Sequence, residues 1–589
     1  MVERSAVNRL VVGSNPTSGA KWTPFQESIV TFQTSLLSFV RLLMESAMPF
    51  RRLFVSRLAR RSLLVLLIAA LLLGGFQLRR WTWQKTKHVR YQHDIVNGFY
   101  WGSETLAEGR ELSPEGTSAE SWAAFFRGYF ALYDRVKREA YESDYQLDYP
   151  PLRLLVMSIW AKQVRKDFPG VDDGHPKHVE PLLHANLLCE LLSAVAIFFL
   201  VRFWVRRASA MADEKSSDRR AWMCGLAAAS VAWLEPSMIL DAHGWPQWDV
   251  WILPFYLFAA LAASTNRWFW CGCLLALGAM LKGQLLLVAP FFVFWPFWQK
   301  RWSLALRLLS GFAATFAFVV SPWLLRTPVA WAAVILMGAA SWTVIHARGW
   351  KNSSAWIAGV TALTAFVAGA FAGGSFAWLQ IGFLYGSEHY PYLFISSCYN
   401  LPSLLSQIGW SLKESLWSHQ FGSRYVAVTP QWLLRICYLG LVALCAASAA
   451  RHAQNRDSRT LIAIAAPWLV MFGLLGQMHE RYLMWGAVIS AVAFGVSVRL
   501  SILHFIISIL STAMIVDVML IDRKLDATIR VIDMLNALRP HASALALICI
   551  VMWFWDAASI PVVISQRRRQ LKTAEAIAQA NLIAQEKCA

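Results

Sequence analysis

A handful of short stretches carry side chains that could do chemistry. Asp148, in Leu147-Asp148-Tyr149-Pro150-Pro151, is a carboxylate on a stiff elbow. The two prolines donate no backbone hydrogen bond and push Tyr149 toward an extended conformation, and a helix-compatible run follows at once. A plain alternative is a proline-led helix start with the aspartate as its cap. Asp94 supplies a second carboxylate upstream. Asp241-Ala242-His243-Gly244-Trp245-Pro246-Gln247-Trp248-Asp249 packs two carboxylates, an imidazole and an amide into one segment, and Lys282 and His479-Glu480-Arg481 add cations. A carboxylate takes a proton from a hydroxyl as general base. Lysine, arginine and histidine grip a phosphate and offset its charge as it leaves.

Hydropathy decides how such residues can be positioned. Hydrophobic residues make up 57% of the 589 positions and charged ones 15%, with a mean hydropathy of +0.42. That balance is far too apolar for a soluble protein. Apolar runs of about 18–22 residues recur from Ser62 to Ile560, the length of membrane spans. Many of the 30 tryptophans stand at run ends, as in interfacial belts. The net charge of +19 sits mostly in short loops, where it orients spans, so no nucleic-acid partner is expected. The cysteines lie mainly within apolar runs; Cys271-Gly272-Cys273 reads as packing.

The pattern predicts an all-α integral membrane protein with about 12–14 transmembrane helices. Span one covers roughly Ser62 to Phe76 behind Arg51, Arg52, Arg57, Arg60 and Arg61, which places the N-terminus in the cytoplasm. A long external loop follows over 77–180. Span three is expected to end at Ile239-Leu240, and 386–430 to lie outside as loop. The helical hairpin over 268–298 turns at Lys282, and both termini come out cytoplasmic. Asp94, Asp148, Asp241, His243, Gln247, Asp249, Lys282, His479, Glu480 and Arg481 then all fall at one membrane face. Charged groups near a bilayer are costly, so such a gathering signals a site. A donor that is both phosphorylated and lipid-soluble, such as a polyprenyl-phosphate sugar, suits a pocket at that depth.

The motifs then take on a family likeness. Leu147-Asp148-Tyr149-Pro150-Pro151-Leu152 resembles an element of the endoplasmic-reticulum glucosyltransferases that extend lipid-linked oligosaccharide. His93-Asp94-Ile95 through Trp101 to Gly109 resembles the first external-loop aspartate segment of the GT-C glycosyltransferase superfamily. His243-Gly244-Trp245-Pro246-Gln247-Trp248-Asp249 is similar to that group's His-Gly-x-x-Gln-Tyr-Asn element, with Asp249 where asparagine is usual. Leu281-Lys282-Gly283-Gln284 resembles its Phe-Lys-Gln element. Tyr399-Asn400-Leu401 and Met478-His479-Glu480-Arg481-Tyr482-Leu483 resemble bacterial relatives of the GPI-anchor mannosyltransferases. The likeness runs from Arg51 to Arg499, in order.

The likeness implies a GT-C fold with a long first extracytoplasmic loop containing short helices. It implies an inverting transfer of a hexose, glucose or mannose, from a polyprenyl- or dolichyl-phosphate donor. The acceptor is a lipid-linked glycan, a polysaccharide or a protein, and the site is extracytoplasmic. Asp94 is the implied general base with Asp148 as runner-up. Lys282, His479 and Arg481 are assigned to the donor phosphate, and His243, Gln247, Asp249, Tyr149, Asn400 and Glu480 to sugar or acceptor. No cofactor is expected, although Asp241, His243 and Asp249 leave a divalent metal open. The expected membrane is a bacterial inner membrane, or that of the endoplasmic reticulum in a eukaryote. The different class that competes is a flippase of polyprenyl-phosphate sugars. Residues 1–47 are expected to be an extension outside the protein proper, with the start at Met44 or Met48. A membrane core over 48–500, two further spans over 501–562 and a helical tail over 563–589 complete the organisation.

Overall fold

The computed structural model describes residues 57–87, 93–114, 121–141, 144–170, 175–209, 214–347, 353–389, 397–421, 424–522 and 529–559. The expectations for 1–47, for the start at Met44 or Met48 and for the 563–589 tail lie outside the described residues. The chain divides into two units, 1–74 and 75–589. Of the first, the described part is helix alone; the remainder concerns the second.

Among the described residues, eight helices are long and apolar enough to cross a membrane: Ser62–Thr86, Pro176–Ala208, Lys215–Gly244, Trp302–Leu324, Pro328–Ala347, Pro430–Gln454, Val498–Leu520 and Asn536–Ala558. The chain is a multi-pass, helical membrane protein. Eight is fewer than expected. The apolar segments between them, among them Asp249–Ser264, Trp268–Leu281 and Thr460–Leu474, form helices of 10–17 residues. At 1.5 Å per residue these fall short of the ~30 Å hydrocarbon core.

Three boundaries depart from the sequence reading. The first span continues to Thr86 instead of stopping at Phe76. Its second-unit part keeps Arg79 buried because Glu190 neutralises it at 2.7 Å. The third span does not end at Ile239-Leu240: Leu240–Gly244 winds on as a π turn, so Asp241 and His243 sit on helix rather than loop. Finally, the 386–430 stretch contains an antiparallel hairpin, Trp417–Phe421 with Arg424–Val428, the one sheet among the described residues.

The core is organised around Thr460–Leu474, whose residues from Thr460 to Gly473 are all buried. A helix apolar on every side belongs at the centre of a bundle. Tyr256 Oη donates to the Ile464 carbonyl at 2.6 Å and Trp553 Nε1 to that of Ile462 at 3.1 Å, clamping it from two sides. Leu483–Ser490 is equally buried. The turn between them, carrying His479, Glu480 and Arg481, is therefore held at both ends.

Between the first and second spans stand three helices, His93–Glu111, Trp122–Glu139 and Pro151–Asp167. They run to 19, 18 and 17 residues, longer than the short helices expected there. They touch backbone to backbone through glycine. A Cβ on Gly128 would lie 2.1 Å from the Thr105 carbonyl oxygen, and one on Gly102 2.4 Å from that of Met157. This contact carries Asp94, so its geometry depends on the glycines. Gly128→Ala should separate the first two helices and cost roughly 1–3 kcal/mol. The unfolding midpoint in detergent should fall accordingly; an unchanged midpoint would mean the helices have room to spare.

Candidate functional site

Asp249 opens the short 3-10 turn Asp249–Trp251 and is fully buried. One carboxylate oxygen receives Arg481 Nε at 2.6 Å, and the other pairs with Lys282 Nζ. Trp485 Nε1 donates to the Asp249 carbonyl at 2.8 Å. The rest of the Arg481 fork reaches outward: Nη2 to Asp94 Oδ2 at 2.8 Å, and Nη1 to Glu480 Oε1 and His479 Nδ1, both at 3.5 Å. Lys282 also lies 4.7 Å from the Tyr482 ring and 5.4 Å from that of Trp485. Residues more than two hundred positions apart thus meet at a single arginine.

The two candidate bases sit in different electrostatic settings. The side chain of Asp94 is 41% exposed although Arg481 holds one of its oxygens. Burial pushes its carboxyl up, but Arg481 and then His479 outweigh that and leave it below the ordinary aspartate range. Asp148 opens to solvent and has no ion pair among the described residues. The protein packed around it pushes its carboxyl up, more than the nearby Arg153 pulls it down. Asp148 does not cap the following helix: the cap position is Pro150, with no side-chain hydrogen bond. The elbow is instead tied by Tyr133 Oη to the Tyr149 carbonyl at 2.6 Å and Tyr129 Oη to that of Pro151 at 2.8 Å. Arg153 lies over Tyr149 and Trp248, 4.0 and 4.5 Å from their rings.

A second buried network backs the first. His243 Nε2 is 2.9 Å from Glu190 Oε2, which also takes Arg79 Nε at 2.7 Å. Arg79 Nη2 donates to the Trp233 carbonyl at 2.8 Å and the guanidinium stacks 3.7 Å from that tryptophan ring. Asn186 Nδ2 bonds the carbonyls of Ala242 and Gln247, each at 2.8 Å, and its Oδ1 accepts from Trp251 Nε1. Between the networks lies Asp241, fully buried, with neither carboxylate oxygen hydrogen-bonded among the described residues.

The residues singled out in sequence therefore converge, but in different capacities. Asp94, Asp148 and His479 face open space; His479 is 35% exposed. Burial first, then Arg481, holds the His479 imidazole well below its usual range. His243, Gln247, Tyr149, Glu480 and Asp249 are buried behind them. Tyr149 Oη reaches the Asp94 carbonyl at 3.4 Å. Asn400 caps the Leu401–Gln407 helix and donates to the Leu475 carbonyl. Arg79, Asn186, Glu190 and Arg153 escaped notice. Glu190 had a signal, a carboxylate inside an apolar run. No group of three or more His, Cys, Asp or Glu is arranged to hold a metal among the described residues.

Comparison with protein-family models and with curated proteins gives no match to this chain.

Asp249 is the test of the network. Asp249→Asn leaves Lys282 and Arg481 buried without their shared counter-charge, and breaking a buried pair this way costs about 3–5 kcal/mol. Adding Lys282→Met should recover more than ~1 kcal/mol by removing the stranded cation. Additive losses in thermal unfolding would mean that the two side chains are not coupled.

Proposed function

We propose that the chain is a membrane glycosyltransferase that moves a hexose, glucose or mannose, from a polyprenyl- or dolichyl-phosphate to an acceptor hydroxyl with inversion. What supports it is one arrangement: a partly open carboxylate, Asp94, joined through Arg481 to a buried cluster of cations. A phosphoryl leaving group needs cations fixed where its charge develops. Arg481 and Lys282 are fixed by Asp249 and by the rings of Tyr482 and Trp485.

The acceptor oxygen attacks the anomeric carbon as the bond to the phosphate oxygen breaks. The electron pair leaves with the phosphate, whose charge Lys282 and Arg481 offset, with His479 beside them as a hydrogen-bond partner. The hydroxyl proton passes to Asp94. Arg481 orients that carboxylate through Oδ2, and its other oxygen is hydrogen-bonded to nothing among the described residues. The acceptor is a lipid-linked glycan, polysaccharide or protein reached from the extracytoplasmic side.

A second assignment, Asp148 as the base, draws support from its exposure, its lack of an ion pair and its raised pKa. Substitution and pH separate the two. Asp94→Asn should lower turnover by about 10²–10⁴-fold with donor binding intact. Asp148→Asn should act mainly on loop order. A base works ionised, so activity is lost as pH falls through its pKa. With Asp94 as base, the acid limb of kcat/KM lies below the ordinary aspartate range; with Asp148, it lies above. A limb above that range, with Asp148→Asn the slower variant, would reverse the assignment.

A further inference from the structure

A wide cavity in the bundle lies far from these carboxylates. The Pro176–Ala208 helix begins beside them, with Asn186 and Glu190 contacting the Ala242–Gln247 segment. Arg202, Arg206 and Arg207 follow three to five turns later, about 18–26 Å along the axis, most of a bilayer core away. There they border a groove of about 1370 Å³ together with Arg267 and Arg456. Among the described residues no carboxylate lines it. Asp218 stands nearby and pairs with Arg202 at 3.4 Å and Arg206 at 3.8 Å. The other wall is apolar, with Phe199, Phe258, Trp270 and Leu274. Behind it, an inner chamber of about 360 Å³ shares Arg207 and adds Arg301, Asn266 and Gln299.

A bias of positive charge toward one membrane face accounts for arginines in loops. It does not account for five of them bordering one cleft whose opposite wall is aromatic and aliphatic. Two helix ends here also carry side chains where glycine would be unstrained: Asn266 has φ 63° and Arg456 φ 56°. Arg207, Arg267 and Arg456 have no ion pair among the described residues. Their forks suit phosphate oxygens, which accept bidentate guanidinium bonds. Free phosphate would use the arginines and leave the apolar wall bare. An amphiphile uses both.

We propose that this groove binds an anionic phospholipid from the leaflet at that end of the bundle. Its phosphodiester sits among Arg207, Arg267 and Arg456, and an acyl chain runs along Phe199, Phe258 and Trp270. The site is independent of glycosyl transfer and requires no catalysis to be seen.

Native mass spectrometry of the full chain, released from detergent with phosphatidylglycerol or phosphatidylcholine, is the direct test. The phosphatidylglycerol adduct should persist at higher collision energy and bind about ten- to a hundred-fold more tightly. Arg267→Gln with Arg456→Gln should erase that preference, bringing phosphatidylglycerol retention down to that of phosphatidylcholine. Unfolding midpoints in lipid-free detergent check that the variant folds; should it not, Arg267→Gln alone is read the same way. Equal retention of the two lipids, or a preference that survives the substitutions, overturns the proposal. So does displacement of the lipid by millimolar inorganic phosphate, which would make a free anion the ligand.

Discussion

Everything at the candidate site depends on one buried carboxylate holding two cations. Asp249 has no exposed surface, and taking its charge and those of Lys282 and Arg481 out of water costs several kcal/mol per ion. That cost is offset only while all three stay in contact. The contact requires the Lys282 turn, the Asp249 turn and the Glu480–Tyr482 turn to meet at one point. Buried helices anchor those turns, most firmly Thr460–Leu474 and Leu483–Ser490, which have no exposed face to let them slide. The network thus works as a register lock for the bundle and holds two cations near the partly exposed Asp94. A donor phosphate would share Arg481 with Asp94, so donor binding and the basicity of that carboxylate are linked in the proposed reaction: weaker pairing to Arg481 makes Asp94 a stronger base.

The helices ahead of the second span serve the same point from the other side. Glycine contacts bring His93–Glu111 against Trp122–Glu139 and Pro151–Asp167, and two tyrosine hydroxyls fasten the Pro150-Pro151 elbow, whose nitrogens can donate nothing. Asp94 and Asp148 are consequently delivered by a packed scaffold rather than by mobile loops. The Arg79–Glu190–His243 network steadies the π turn behind them, a backbone form found disproportionately at functional sites.

How much of this was legible depended on the range of each interaction. The membrane class and the gathering of Asp94, Asp241, Asp249, Lys282 and Arg481 could be read, because apolar run lengths alternate the polar turns between two faces. The pairing of Lys282 and Arg481 with Asp249 could not, since no local pattern reports contacts across 33 and 232 positions. The first span was ended at Phe76, short of Arg79, because the carboxylate that neutralises Arg79 lies 111 residues away. Asn400, assigned to sugar or acceptor from its motif, also has a local role: its Oδ1 accepts from the Ser403 amide N–H three residues on, as a helix cap. The Trp417–Val428 hairpin was missed because five-residue strands in a polar stretch carry too little alternation to stand out.

The most direct test of the account is the fate of a polyprenyl-phosphate hexose labelled in the sugar and presented to the reconstituted protein with a panel of acceptors. The account predicts cleavage of the sugar–phosphate bond and a product whose anomeric configuration, read by NMR, is inverted relative to the donor. A donor that crosses the bilayer with its sugar–phosphate bond intact, and no glycosylated acceptor with any hexose tried, would contradict it and make the chain a carrier of the lipid instead.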